Sequence, residues 1–291
     1  MDAVGFALLA GGLLGVSAVL VRMGLRAVPD VNASAFVISF IALLVTVALA
    51  LALGVAPDEV RIGELWPFLA IGVFVPGAAR LLYVQAVHDA GPSRAAILVG
   101  TAPLLSVLIA VSVLREPIGP ALAAGTLLIV GGGIALVRER VRPAEFKVVG
   151  LLLAVLVAIL VAIRDNVARS VTSGVDVAPV IEIAAVLATA SVTAFVFLVI
   201  GSRGRGVLAR TRQVFIPFLP MGVLAGFASL AVLEALDRGP VTVVAPLVAT
   251  QALWGVVFSS LLVRQTEAIT GRIVAAAVCV VGGGALIGIA H

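Results

Sequence analysis

One arginine in this chain of 291 residues stands where an arginine is costly. Arg80 lies midway along the apolar stretch 66–88, with Pro76 one turn before it and Tyr83 one turn after it on the same helical face. An arginine near the centre of a bilayer costs roughly 2.5–3.5 kcal/mol on insertion scales, so the side chain needs a partner or water. Its guanidinium offers a planar fork of donors suited to a carboxylate, and the Tyr83 hydroxyl adds another donor. The competing reading is a structural ion pair with Glu182 or Glu234.

Other residues extend that chemistry. Pro246, Thr250 and Trp254 fall at i, i+4 and i+8 on one stripe of the stretch 241–263, with Gln251 beside it. Thr250 either replaces a hydrogen bond that Pro246 frees or faces a substrate. Trp254, in mid-span rather than at an interface, suits a cavity wall or tight helix packing. Thr101, Pro103 and Ser106 play the parallel part in 93–114. Glu182 is either a proton-coupling carboxylate or a side chain snorkelling to the interface, and Glu234 with Asp237 reads as a coupling pair or a solvated helix end. Arg164, Asp165 and Asn166 mark a water boundary after 148–163; if that span runs longer, they enter the cavity mouth instead. The candidate substrate-binding residues are thus Arg80, Tyr83, Thr101, Ser106, Thr250, Gln251 and Trp254, with Glu182 and Glu234 as possible coupling groups. His88, His291 and the lone Cys279 build no metal site, catalytic triad or disulfide, and no cofactor is implied.

The elements that must hold these residues follow from composition. Hydrophobic residues make up 62% and charged residues 12%, and the mean hydropathy is +1.27. A soluble domain of this size needs more polar surface than that. Ten apolar spans can be drawn, at 3–21, 33–54, 66–88, 93–114, 118–137, 148–163, 177–200, 214–236, 241–263 and 270–289. Connectors are short, and the most charged one, Arg138 to Lys147, falls at the midpoint. The basic balance reflects connectors facing anionic lipid head groups rather than nucleic acid.

The chain also repeats itself. Phe68-Leu69, Gly91-Pro92, Glu116-Pro117-Ile118 and Gly131-Gly132-Gly133 recur as Phe218-Leu219, Gly239-Pro240, Glu267-Ala268-Ile269 and Gly282-Gly283-Gly284, at offsets of 150, 148, 151 and 151. Two copies of an odd number of spans enter the membrane in opposite senses, which predicts two inverted five-helix halves, 1–140 and 141–291. Thirteen Lys and Arg residues fall in alternate connectors against five on the other side. The positive-inside rule then puts both termini outside the cytoplasm. The glycine pairs Gly11/Gly15, Gly222/Gly226 and Gly284/Gly288 read as close helix contacts.

A Gly-Pro turn, an apolar span, a Glu before an apolar residue and a glycine-rich span, occurring twice, resemble the EamA-type branch of the drug/metabolite transporter superfamily. That resemblance implies ten transmembrane helices around a central cavity and the export or exchange of amino acids or other small metabolites. Two departures stand out: family members commonly keep both termini in the cytoplasm, and Gln251 stands where the first copy has Pro103. The expectation is an all-α polytopic protein of the cell membrane, a monomer or weak homodimer in the lipid bilayer. It would carry a small polar or anionic metabolite by alternating access and would not be an enzyme. The alternative is a membrane scaffold whose buried charges pair with another chain. The side of its helix to which Arg80 points separates the two.

Overall fold

In hydrocarbon a backbone must satisfy its own polar groups, and an apolar run does so by coiling into a helix. The computed structural model describes residues 2–55, 62–102, 104–105, 120–137, 146–172, 177–239, 244, 247–262 and 270–290, and among these no strand occurs. The helices are α1 (Ala3–Ala27), α2 (Val31–Ala52), α3 (Trp66–Gly72), α4 (Ala79–Ala90), α5 (Pro92–Val99) and α6 (Pro120–Val137). They continue as α7 (Val148–Thr172), α8 (Pro179–Ser202), α9 (Val207–Arg238), α10 (Gln251–Leu262) and α11 (Gly271–Ala290). A π-helical segment, Val73–Ala78, joins α3 to α4. Among the described residues six stretches are long and apolar enough to cross a membrane: Ala3–Ala27, Val31–Ala52, Trp66–Ala90, Val148–Ala168, Pro179–Ser202 and Val207–Arg238. The expected spans 93–114 and 241–263 lie partly outside the described residues.

Two boundaries differ from the sequence reading, for one physical reason. The sixth span was expected to close at the Arg164 cluster, yet α7 continues to Thr172 because Arg164 and Asp165 neutralise each other within the helix. The eighth was expected from 214, yet α9 begins at Val207. Arg210 on its first turns binds Asp30 through Nε and Nη2 at 2.5 and 2.8 Å. A charged residue that brings its own counter-ion need not end a helix. Asp30 also caps α2 by accepting from the Ala33 amide at 3.1 Å. Burial pushes its carboxyl up, but the Arg210 guanidinium and the Ala33 and Asn32 amides outweigh burial and hold it below its ordinary value.

Packing crosses between the halves. α1 lies against α9 and α10, while α7 lies against α4 and α5. α2 pairs with α9 and α8, α8 in turn with α3 and the π segment, and α6 with α11. Small residues make the tightest of these contacts possible. A Cβ on Gly15 would meet the Gly255 amide at 2.9 Å and the Gln251 carbonyl at 3.0 Å, so α1 rides directly on the backbone of α10. Gly222 and Gly226 of α9 make room for the Ile41 and Val45 side chains of α2. Large apolar side chains such as Leu51, Ile200, Leu208, Ile216 and Leu261 cover the outside, as lipid contact requires.

The helix ends are tied by polar groups. At one end, Arg22 of α1 donates to the His88 carbonyl at 2.8 Å. Asp89, only 4% exposed, accepts from Gln85 at 2.7 Å and Lys147 at 3.1 Å and pairs with His88 at 2.8 Å. The Lys147 amide also donates to the Asp89 carbonyl at 2.7 Å, which sets the start of α7 beside the end of α4. At the other end, Arg238 of α9 lies 5.0 Å from the centre of the Phe6 ring on α1.

Candidate functional site

Proline has no amide hydrogen and collides with the carbonyl one turn back, so Pro76 weakens the helix around it. The break falls at Val75, whose φ of −138° and ψ of 114° are extended. The chain also turns at Gly100–Thr101 after α5 and at Ala249–Thr250 before α10. Around these three interruptions lies a cavity of about 160 Å³. Leu14 and Ser17 of α1, Ile183 and Val186 of α8, and Met221 and Ser229 of α9 contribute to walls that are mostly apolar.

The polar lining is concentrated on α4 and α7. Arg80 and Tyr83 of α4 line the cavity, as do Arg164 and Asp165 of α7 and Gln251 at the start of α10. Arg80 Nε is sealed from solvent, and no described group accepts a hydrogen bond from it. Asp165 binds Arg164 through Nε at 2.9 Å and Nη2 at 2.6 Å. The two opposite charges on α7 cancel, and among the described residues Arg80 leaves the lining with one uncompensated positive charge. In a space lined by hydrocarbon that charge attracts an anion far more strongly than it would in water.

Of the residues singled out by sequence, the structure brings Arg80, Tyr83 and Gln251 to the cavity. Thr101 and Thr250 do not line it. Thr101 Oγ1 donates to the Leu98 carbonyl at 2.6 Å and Thr250 Oγ1 to the Leu247 carbonyl at 2.7 Å, the same three-residue reach in both copies. Each hydroxyl serves a carbonyl beside the chain turn, the first of the two roles open to Thr250. Trp254 is not a cavity wall. It is 43% exposed on the outer face, its Cβ crowds Gly15, and its ring stacks on Phe258 at 5.8 Å. Ser106, Pro103 and Pro246 lie outside the described residues.

The two coupling candidates are also placed away from the cavity. Glu182 is fully buried in the first turn of α8, where the helix dipole favours a carboxylate, so it does not snorkel. Glu234 accepts from Arg238 at 2.8 Å, one turn along α9 at its end. The residues that sequence reasoning undervalued are Arg164 and Asp165. The signal was there: an adjacent pair of opposite charges neutralises itself and lets an apolar helix run on.

Comparison with known proteins gives three findings. Residues 2–138 match the EamA-like transporter family. A crystal structure described only as that of a protein is similar over 98% of this chain and 94% of its own, with a TM-score of 0.68 at 24% identity, which speaks to the fold. No curated protein matches.

Proposed function

Since residues 2–138 match the EamA-like transporter family, we propose that the chain is a secondary carrier for a small anionic or polar metabolite, such as an amino acid. The observation that carries this reading is Arg80, an uncompensated guanidinium on the wall of an otherwise mostly apolar cavity. The volume limits the cargo: a cavity of about 150 Å³ holds a molecule the size of benzene, and this one is about 160 Å³. A carboxylate on a compact apolar body suits both the charge and the space. A scaffold reading needs Arg80 on the outer face, and the residue lines the interior instead.

The transport cycle we propose is alternating access between the halves 1–140 and 141–291, ten spans in all, with the second half inverted against the first. Two observations support the inversion. Exchanging the halves carries the partners of α1, which are α9 and α10, onto the partners of α7, which are α4 and α5. The end of α1, through Arg22 and His88, also lies near the start of α7 at Lys147, so these corresponding helices run in opposite directions. Arg22, Arg94 and Lys147 cluster at that end, and Arg210 meets Asp30 close by in sequence to the end of α1. The positive-inside rule makes it the cytoplasmic end of a cell-membrane protein, with both termini outside.

A thermal-shift screen of amino acids and small carboxylates on the purified protein, followed by counterflow in proteoliposomes, tests the reading. A stabilising carboxylate that also exchanges across the membrane supports it. Stabilisation without exchange would leave a binding protein and overturn the carrier. A reporter fused after His291 tests the orientation, and a cytoplasmic signal would reverse it.

A further inference from the structure

Both donors of Arg164 converge on a single oxygen of Asp165, Oδ1. The other oxygen, Oδ2, has no described hydrogen-bond partner, is not sealed from solvent, and belongs to a side chain that lines the cavity. A carboxylate oxygen that faces the cavity and is not held by Arg164 is free to accept a hydrogen from a molecule that enters it. Arg80, on the facing helix α4, likewise has no described acceptor, and no ion pair joins it to Asp165 although the two share one cavity. Arg164 holds the acidic group on α7, and the break at Val75 introduces the turn that carries Arg80 on α4. The cavity thus offers an open donor fork and an open acceptor, of opposite sign and held apart.

We infer that Asp165 is the residue by which the cavity selects a zwitterion over a simple carboxylate: Oδ2 accepts an ammonium N–H of the cargo while Arg80 holds its carboxylate. This inference rests on the carrier reading above and adds to it a second recognition point. A monocarboxylate satisfies Arg80 but leaves Oδ2 without a donor and brings a second negative charge beside Asp165. A simple amine satisfies Oδ2 but faces Arg80 and Arg164, two cations against one anion. Only a molecule carrying both groups on a short apolar body answers both sides, and each charge-assisted hydrogen bond is worth enough to set the order of affinities.

The test uses three molecules of one shape on the full-length protein in nanodiscs: valine, isovalerate, which lacks the ammonium, and isobutylamine, which lacks the carboxylate. Valine is expected to bind about tenfold or more tighter than either, since a hydrogen bond to a charged group is worth a factor of at least that order. Asp165→Asn should reverse the order of valine and isovalerate, because the acceptor charge is gone and Arg164 is released to attract the acid. Asp165→Glu, which keeps the charge, should retain the preference for valine. If the Asn variant does not fold, the ranking on the unaltered protein still decides. Equal binding of isovalerate and valine overturns this inference and leaves the carrier standing. Failure of every acid, amine and amino acid to bind removes both.

Discussion

α4 and α7 reach the cavity from one side, α1 and α9 from the other. By the sequence repeat, α1 corresponds to α7 and α9 to the span Trp66–Ala90. The first pair brings Arg80, Tyr83, Arg164 and Asp165 to the lining, and the second brings Ser17 and Ser229 among Leu14, Met221, Ala225 and Ala228. Ser17 donates to the Leu13 carbonyl at 2.7 Å, so even that hydroxyl is already engaged. Duplication supplies two matching sets of helix contacts, whereas the chemistry sits on one copy of each. In the carrier we propose, the repeated contacts would give two related packings to move between, and the one-sided charge would fix which way round the cargo lies.

The largest test of that contrast removes the charge. Arg80→Ala is expected to lower counterflow about a hundredfold, as two charge-assisted hydrogen bonds at roughly 1.5 kcal/mol each would. Ser229→Ala, on the opposite wall, should change it about fivefold or less, the scale of one neutral hydrogen bond. Similar losses from the two variants would dissolve the distinction between the walls. Elution as a single species in detergent separates loss of transport from loss of fold.

A second test concerns the shared contacts. α1 meets α10 through Gly15 and the residues just before α10 through Gly11, and the corresponding α7 presents Ala158 and Ala162, buried with Ala102 just beyond α5. Gly15→Ala would drive a methyl group into the Gly255 amide and Gln251 carbonyl, backbone that cannot swing aside. A loss of roughly 1–3 kcal/mol, read as a lower melting temperature in detergent, is expected. A Cβ on Gly12, one residue on from Gly11 and with nothing within 4 Å, should be neutral or stabilising by up to about 1 kcal/mol from helix propensity. Equal effects at the two glycines would mean that α1 is not pressed onto α10.

These results also show how much of the molecule its sequence displays. Helical class and membrane spans follow from hydropathy, because hydrocarbon leaves the backbone no other local solution. Arg80 stands out in the sequence because a charge deep in a span has few innocent explanations, and it lies on the cavity lining. Sequence left Trp254 between a cavity wall and helix packing because periodicity gives a stripe on a helix but not which neighbour covers it, and here its Cβ packs against Gly15. Sequence left two roles open for Thr250, because a hydroxyl beside a helix break has a local carbonyl to satisfy, and Thr101 and Thr250 each satisfy one. Asp165 was discounted as a helix end because its neutralising partner stands at the adjacent position, and only the three-dimensional lining shows that both face inward.

The contacts that repeat also differ in charge. α2 is tied to α9 by Asp30 and Arg210, while the corresponding contact of α8 with α3 relies on Gly72 seated against Val186 and Thr189. Asp30→Asn keeps the cap on α2 and removes the ion pair, at a cost of about 1 kcal/mol or less for a partly exposed pair. The Asp30 carboxyl is held below its ordinary value in the folded chain, so its contribution is present above the unfolded value of about 3.9 and fades as pH falls through the folded one. Melting of the unaltered protein should therefore weaken on acidification through that window, with a flatter profile for Asp30→Asn. Parallel profiles would show that the pair does not hold α2 to α9.

The smallest expected effect belongs to Trp254. Its side chain is the bulkiest residue type once assigned to the cavity, yet its ring lies outside with Phe258. Removing a side chain from a lipid-facing surface leaves no hole, since acyl chains fill the space with contacts of the same kind, so Trp254→Ala should hold counterflow within about twofold. Substrate preference should also stay unchanged, because no atom of the lining is altered. A shift in preference would place the ring against the cargo in another stage of the cycle, and the uncharged wall would then take part in recognition through α10 rather than through α1 and α9.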